Sequence, residues 1–370
     1  MEKNELRKKL TLLIHKLRKS DLPENIDFDE PQSVVHDEVF FVGKTRKRKR
    51  IVLLSPACCV ASCTMCPLPN EALGKDKKIT SANLISQVKK AFAGADGSDH
   101  EMVTVYSNSN FFSDLDIFPE ARIFIYEKFA ASPASILVVE SLPQFITAEK
   151  IAEAKKHLRG KKLSVAIGLQ SADDTVRELA INSSCSRNAF ENAVRLLKAD
   201  GFTAQVFLMI KPPFLSEQEA IEDTAGSIGY LATLGIYDPI LCATRVAPNT
   251  LVELLYKEKK FRPPWLWTII EILRISHERF PDSNPRIAVS ELKLEHNPGS
   301  VSASNCDKCN LRVVKAIEEF NNSRDLGLFD RLSCACHEDY LGYLDRELPD
   351  WKKVPISGRI SEFLNNYQRR

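Results

Sequence analysis

The stretch Ile51-Val52-Leu53-Leu54-Ser55-Pro56-Ala57-Cys58-Cys59-Val60-Ala61-Ser62-Cys63-Thr64-Met65-Cys66 decides how the rest of the chain reads. Its first residues are a short apolar run with β-branched members, the pattern of a buried strand. A loop follows with thiols at Cys59, Cys63 and Cys66, a C-x3-C-x2-C spacing. Three thiolates in one short loop suit an iron–sulfur cluster, whose irons are held by Cys. Three ligands to a four-iron cluster leave one iron open, and an open position can be a working site, as it is at catalytic zinc. A zinc loop is the alternative. Zinc favours paired C-x2-C halves and a fourth close ligand, which here only Cys58 supplies.

Beyond this strand the pattern repeats. Apolar runs at Met102–Tyr106, Ile136–Glu140, Leu163–Gly168, Ala204–Ile210 and Pro239–Thr244 alternate with helix-like stretches. Those stretches begin near Ser81, Pro119, Thr147, Asp173, Arg187 and Ser216, and Ser216 with Glu219 has capping-box spacing. Six strands in series with helices between them imply a parallel sheet. They are too few for a closed eight-stranded barrel, so the expected fold is α/β, an open partial (βα)6 barrel of the TIM type with a cysteine-rich, metal-binding C-terminal extension. The expected divisions are 1–50, an N-terminal helix and basic hairpin; 51–255, the barrel; and 256–370, a helical metal-binding region.

In residues 1–20, Leu6, Leu10, Leu13 and Leu17 recur at helical spacing, which reads as a helix packed on the main body. Residues 33–50 read as a hairpin approach ending in Lys44-Thr45-Arg46-Lys47-Arg48-Lys49-Arg50. This run is either a solvated turn before the first strand or an edge that binds phosphate. Arg262-Pro263-Pro264-Trp265-Leu266-Trp267 opens a helix to Glu278.

The 370 residues suffice for a sizeable core without disulfides. Lys and Arg total 51 against 49 Asp and Glu, a net charge of +2. That excludes a nucleic-acid binder held by bulk charge alone. No apolar run is long enough to span a membrane, and the polar N-terminus does not read as a secretory signal. The expected location is cytoplasmic. Disulfides are rare there, so eight of ten cysteines falling in two groups points to metal or cofactor sites.

Sites on βα barrels sit at the C-terminal ends of strands. Those ends carry Ser107-Asn108-Ser109-Asn110, Glu140-Ser141, Gly168-Leu169-Gln170-Ser171, Lys211-Pro212-Pro213 and Thr244-Arg245. Singly, each could be a loop or helix cap; together they ring one mouth. Glu140, Lys211 and Arg245 are the candidate catalytic groups. The two cations either bind a substrate carboxylate or phosphate or form structural ion pairs with neighbouring loops.

The C-x3-C-x2-C loop after the first strand of a βα series resembles the radical S-adenosylmethionine (SAM) superfamily. The resemblance implies a [4Fe-4S] cluster on Cys59, Cys63 and Cys66, SAM chelated at the open iron, and cleavage of SAM to methionine and a 5′-deoxyadenosyl radical that abstracts hydrogen from substrate. It implies a flavodoxin- or ferredoxin-like one-electron donor. Met65 fills a position often aromatic in the superfamily, where a thioether can pack on adenine. Ser107, Asn108, Ser109, Asn110 and Gln170 are the expected SAM contacts.

From about residue 50 to 340 the chain resembles the radical SAM subunit of archaeosine synthase. Cys63-Thr64-Met65-Cys66, Asn110-Phe111-Phe112, Val139-Glu140-Ser141, Ile167-Gly168-Leu169, Ala180-Ile181-Asn182, Lys211-Pro212-Pro213-Phe214-Leu215-Ser216-Glu217 and Arg262-Pro263-Pro264-Trp265-Leu266-Trp267 carry the likeness, in order. It implies lyase-like cleavage of a C–N bond in a lysine adduct on a tRNA base, beside a separate subunit that attaches the lysine. The chain departs at Pro67, usually Gly, at Ser107-Asn108-Ser109-Asn110 for Thr-Ser-Gly-Ser, and at Leu142, Gln170 and Ser183, where the family has Arg, Glu and Lys. A divergent member acting on a small molecule without tRNA is the alternative. A non-catalytic, metal-stabilised RNA-binding protein is the second.

Cys306-Asp307-Lys308-Cys309 and Cys334-Ala335-Cys336-His337 form a second group. Four thiolates in two halves suit closed tetrahedral Zn²⁺ or an auxiliary [4Fe-4S] cluster, and spacing does not separate them. His337 reads as a bystander, and Cys58, Cys185 and Cys242 as non-ligands.

Overall fold

The computed structural model describes residues 2–41, 43–74, 77–93, 100–293, 299–351 and 354–369. One open sheet, curled into a half-barrel, holds eight strands in chain order. They are β1 (Ser33–Phe41), β2 (Lys44–Val52), β3 (Met102–Tyr106), β4 (Ile136–Glu140), β5 (Lys162–Gln170), β6 (Thr203–Ile210), β7 (Ile240–Ala243) and β8 (Arg286–Ile287). β1 and β2 form an antiparallel hairpin; every later neighbour is parallel. The helices are α1 (Lys3–Leu17), α2 (Ser81–Ala91), α3 (Pro119–Ala131), α4 (Ala148–Leu158), α5 (Arg187–Ala199), α6 (Glu217–Thr233), α7 (Leu251–Lys257), α8 (Leu266–Arg279), α9 (Asn310–Ser323), α10 (Gly327–Asp330), α11 (Cys336–Trp351) and α12 (Ile356–Gln368).

Parallel strands covered on both faces are apolar throughout rather than alternating. Met-Val-Thr-Val in β3 and Ile-Leu-Val-Val in β4 are buried at every position. Helices α2, α4, α5 and α6 open on Thr80, Thr147, Ser186 and Ser216, each accepting a backbone N–H of the first turn. The Ser216–Glu219 capping box forms as expected. Asp173 opens a helical stretch too, accepting the Val176 N–H at 2.8 Å, but Val176–Ala180 winds as a π-helix. Among the described residues no helix is long and apolar enough to cross a membrane.

The six expected strands are β2 to β7, and the sheet gains β1 and β8 at its edges. The basic run is not a turn: it lies within β2, so the sheet continues unbroken through residue 50. Strand alternation and hairpin register bring its cations to acidic partners. Arg48 forks onto Asp37 with two bonds of 2.7 Å. Arg46 and Lys44 share Glu101 at 2.8 and 2.7 Å.

Candidate functional site

The cysteine loop leaves the end of β2 and is fixed from two sides. On one side it is stitched to residues 180–182. Thr64 N–H donates to the Ile181 carbonyl at 3.0 Å and Thr64 Oγ1 to that of Ala180 at 2.9 Å. Ser62 Oγ donates to the Asn182 carbonyl at 3.0 Å, and Asn182 Nδ2 returns a bond to the Ser62 carbonyl at 2.9 Å. This gives the Ala180-Ile181-Asn182 motif a physical role. On the other side Arg18, just beyond α1, donates to the carbonyls of Cys66 at 3.2 Å and Ala61 at 3.0 Å.

Above the loop lies a cavity of about 410 Å³ at the C-terminal ends of the strands, within the range of small-molecule sites. Cys63, Met65 and Cys66 line it, with Asn108, Ser109, Asn110, Glu140, Gln170 and Arg245. Most of the expected mouth residues are therefore brought together. Cys58 and Cys242, expected as non-ligands, also line it, as does Arg18. Nothing in the spacing of residues 1–20 marks Arg18, since its role depends on where α1 docks.

Other expected residues stand elsewhere. Cys59 is exposed, with Sγ 3.7 Å from Ser113 Oγ. Ser107 is buried behind the wall, where Ser55 Oγ donates to its carbonyl and Ser109 Oγ to its hydroxyl. Asn110 is engaged by the fold. Its Nδ2 donates to Asp116 Oδ2 at 2.7 Å and to Cys58 Sγ at 3.3 Å, and its Oδ1 accepts from Leu142 N–H at 2.9 Å. Asn108 Nδ2 donates to Gln32 Oε1 at 3.0 Å. Gln170 differs: its Oε1 is buried with no partner. Gly168 makes room for that amide, since a Cβ there would lie 2.4 Å from Gln170 Nε2.

Lys211, for which the sequence left both substrate binding and a structural ion pair open, forms the ion pair. Its Nζ is buried against Glu217 Oε1 at 2.6 Å, and Thr268 Oγ1 donates to Glu217 Oε2 at 2.5 Å. The Glu217 N–H reaches Glu347 Oε2 on α11 at 2.7 Å, so the Lys-Pro-Pro motif joins barrel to C-terminal region. Glu217→Ala would strand the Lys211 charge in the interior. Loss of one partner of a buried pair costs about 3–5 kcal/mol, and denaturant unfolding is expected to show it. Arg245 keeps its place in the lining, held by Glu291 at 2.8 Å and Ser300 at 2.7 Å.

Burial pushes the Glu140 carboxyl up to about 7, against the backbone N–H groups of Ser107 and Asn108 that pull it down. The folded chain then holds a proton that the unfolded chain releases from 4.5 upward. Stability therefore falls as pH rises from about 4.5 to about 7. Glu140→Gln is expected to remove part of that loss, on the order of 1–3 kcal/mol, as measured by denaturant midpoints at either end of the window. Asp223, also raised to about 7, contributes in the same sense and remains in both proteins.

Burial raises the Cys66 thiol to about 11 and Cys63 further, and partial desolvation with the nearby Asp116 carboxylate raises Cys59, at the exposed edge, to about 11. Such thiols ionise on binding an ion that takes thiolate. Cys63 and Cys66 on an apolar-walled cavity with an orphaned amide oxygen, and Cys59 at the exposed end of the same loop, fit a cysteine-held cluster and a polar, nucleoside-sized cofactor.

The second cysteine group is a separate site. Cys306, Cys309, Cys334 and Cys336 have sulfurs all within 4.8 Å of one another and could hold a metal ion. Cys306 Sγ lies 3.7 Å from Cys309 Sγ and 3.5 Å from Cys334 Sγ, and Cys309 lies 3.5 Å from Cys336. Trp267 Nε1 donates to Cys336 Sγ at 3.4 Å, which gives the Trp-Leu-Trp motif a contact at this site. His337 packs edge-on to Trp267.

No family model matches the chain. It is 29% identical over 316 residues to the archaeosine synthase subunit beta of Methanosarcina acetivorans, covering 82% of this chain and 87% of that protein. The same-named protein of Thermococcus kodakarensis is 29% identical over 300 residues, covering 79% and 89%. Among solved structures, an N-terminally truncated Elp3 of Methanocaldococcus infernus superposes with a TM-score of 0.45 at 15% identity, over 65% of this chain and 58% of that one. The architecture rests on strand order. By sequence, the chain is similar over most of its length to the archaeosine synthase beta subunits.

Proposed function

We propose that the chain is a radical SAM enzyme that modifies tRNA, with lyase-like C–N cleavage of the archaeosine type. The observation that carries this reading is the placement of the cysteine loop. It sits at the mouth of a half-barrel, beside a cavity lined from the ends of β3, β4, β5 and β7, in a chain related along most of its length to archaeosine synthase beta subunits. Cys59, Cys63 and Cys66 hold a [4Fe-4S] cluster; when bound, it supplies the electron that cleaves SAM to methionine and the radical that takes hydrogen from substrate.

The chain's own residues bind and orient. Gln170 Oε1, buried and unpaired, accepts a donor from SAM. Met65, almost fully buried at the cavity edge, packs on the adenine. Asn108 and Ser109 form the wall at the end of β3. Of the two candidate strand-end cations, Arg245, held by Glu291 and Ser300, is the one that faces the cavity and can meet a substrate carboxylate or phosphate. The low-dielectric walls exclude water, which preserves a reactive radical. A one-electron donor and a second, substrate-preparing subunit are the implied partners, and the cytoplasm the implied location.

The C-terminal thiols hold zinc in this reading. Four thiolates on one tetrahedral ion at about 2.3 Å stand about 3.8 Å apart, close to the 3.5–3.7 Å between the paired sulfurs. Cysteines of a four-iron cluster bind different irons and stand further apart.

One observation favours the small-molecule alternative. Leu142, Gln170 and Ser183 are neutral where the resembled family is charged, and four cations of the basic run, Lys44, Arg46, Arg48 and Arg50, already face Glu101 or Asp37. Mass spectrometry of tRNA nucleosides and metabolites from a strain lacking the protein separates the two. A missing modified nucleoside supports the tRNA reading. A full nucleoside complement with one accumulated metabolite supports the other. Binding of tRNA, if it occurs, should weaken steeply with salt.

A further inference from the structure

Arg18 has no counterpart among the strand-end residues, yet it is bonded to the cysteine loop and lines the cavity. Helix α1 is docked by Leu6, Leu10, Leu13 and Ile14, which share one core cluster with Met65, Leu179, Ile181 and Phe363. At its end the backbone turns extended at Arg18, and the side chain reaches the carbonyls of Ala61 and Cys66 and lines the cavity. Its two bonds, to the carbonyls of Ala61 and Cys66, bracket Cys63. Ala61 has φ +43°, a left-handed conformation that a non-glycine residue adopts only when its surroundings hold it there. The Arg18 bond supplies one such hold. The guanidinium is close enough to Cys66, Cys63 and Cys58 to feel their charge, and its Nε is buried without a partner.

Net charge and hydrogen bonding around a cluster set its reduction potential. A fixed cation favours the reduced, more negative state, and a partly buried one is little screened by salt. We propose that Arg18 is a positioning residue for the cysteine loop and that its charge raises the reduction potential of the cluster held by Cys59, Cys63 and Cys66. This rests on the cluster reading above. It also gives α1 a task besides packing: it delivers a cation to the site from a segment outside the barrel.

The test uses the full chain, reconstituted anaerobically with iron and sulfide, as wild type, Arg18→Lys and Arg18→Gln. Iron is counted, and the cluster potential is read by EPR-monitored redox titration without SAM. The stitching to residues 180–182 should keep the loop folded in both variants. The expected result is a lower potential in R18Q, such that the reduced-to-oxidised ratio at a fixed potential drops about tenfold, or about 59 mV for one electron. R18K, which keeps the charge, should stay near wild type. A folded R18Q protein that takes up no iron, with uptake restored in R18K, supports the proposal as well. Equal potentials in wild type and R18Q at equal iron content overturn it. Wild-type protein that takes up no iron overturns the cluster reading and the proposal with it.

Discussion

Anaerobically purified protein is expected to carry about one zinc and one four-iron cluster, and stripping the zinc is expected to unfold the C-terminal region. The four thiols bring together two segments that are also joined by Arg312 donating to the Ser333 carbonyl at 2.7 Å. Cys306 and Cys309 precede α9, while Cys334 and Cys336 lead into α11. Cys309 and Cys336 are buried, and α11 carries Tyr340 into the main core and Glu347 to the N–H of Glu217. Without an ion, the four thiols crowded within 4.8 Å are joined to one another only by weak S–H bonds. Structural zinc sites contribute folding energy outright, about 10–16 kcal/mol in small zinc domains. The double variant Cys306→Ser, Cys334→Ser should therefore lose its zinc and unfold α9 to α11 well below the wild-type midpoint. Metal analysis and thermal unfolding followed by circular dichroism read both effects. About eight irons and no zinc would replace the zinc by a second cluster.

Alanine at Cys59, Cys63 or Cys66 is expected to remove nearly all bound iron and reduce SAM cleavage to background, whereas Cys58→Ala should keep both. The comparison matters because the structure sets Cys58 in the cavity lining and Cys59 at the exposed edge. Both precede Cys63 in the same loop, and C-x3-C-x2-C spacing selects Cys59. Cys58 has a structural partner in Asn110 Nδ2. A cluster provides no substitute for a lost thiolate unless a neighbouring thiol can reach its iron, so one cysteine of the pair should be dispensable and the other not. Iron content and 5′-deoxyadenosine formation, measured on the same preparations, distinguish them. Iron lost in C58A and retained in C59A would reverse the assignment.

The parts of the fold legible in the sequence were those with strong local pattern. β3 and β4 are apolar runs whose ends match the residues expected, and the Ser216 cap depends only on its neighbours. β8 is two residues long and has no periodicity to read. The run 44–50 looked like a turn because seven consecutive polar residues resemble solvated chain. It is a strand because β1 and Glu101 supply the opposite charges. Within the site, Gln170 reached the cavity because a strand end must face the mouth. Lys211, one residue past the end of β6, shares the positive φ of Gln170 (+54° and +68°) but turns to Glu217. Nothing in local sequence tells a cation facing a cavity from one facing a buried carboxylate. Arg18 was illegible for a related reason: its helix follows from leucine spacing, but its partners lie 43 and 48 residues away.

The central claim is that this chain cleaves SAM reductively at the Cys59–Cys63–Cys66 loop. Its most direct test is 5′-deoxyadenosine and methionine, quantified by mass spectrometry after incubating the reconstituted, dithionite-reduced full chain with SAM in the absence of oxygen. The account predicts both products in equal amounts from wild type and neither above background from the Cys59→Ala, Cys63→Ala, Cys66→Ala triple variant. Product formation by the triple variant, or none from wild-type protein holding a full complement of reducible iron, would contradict it.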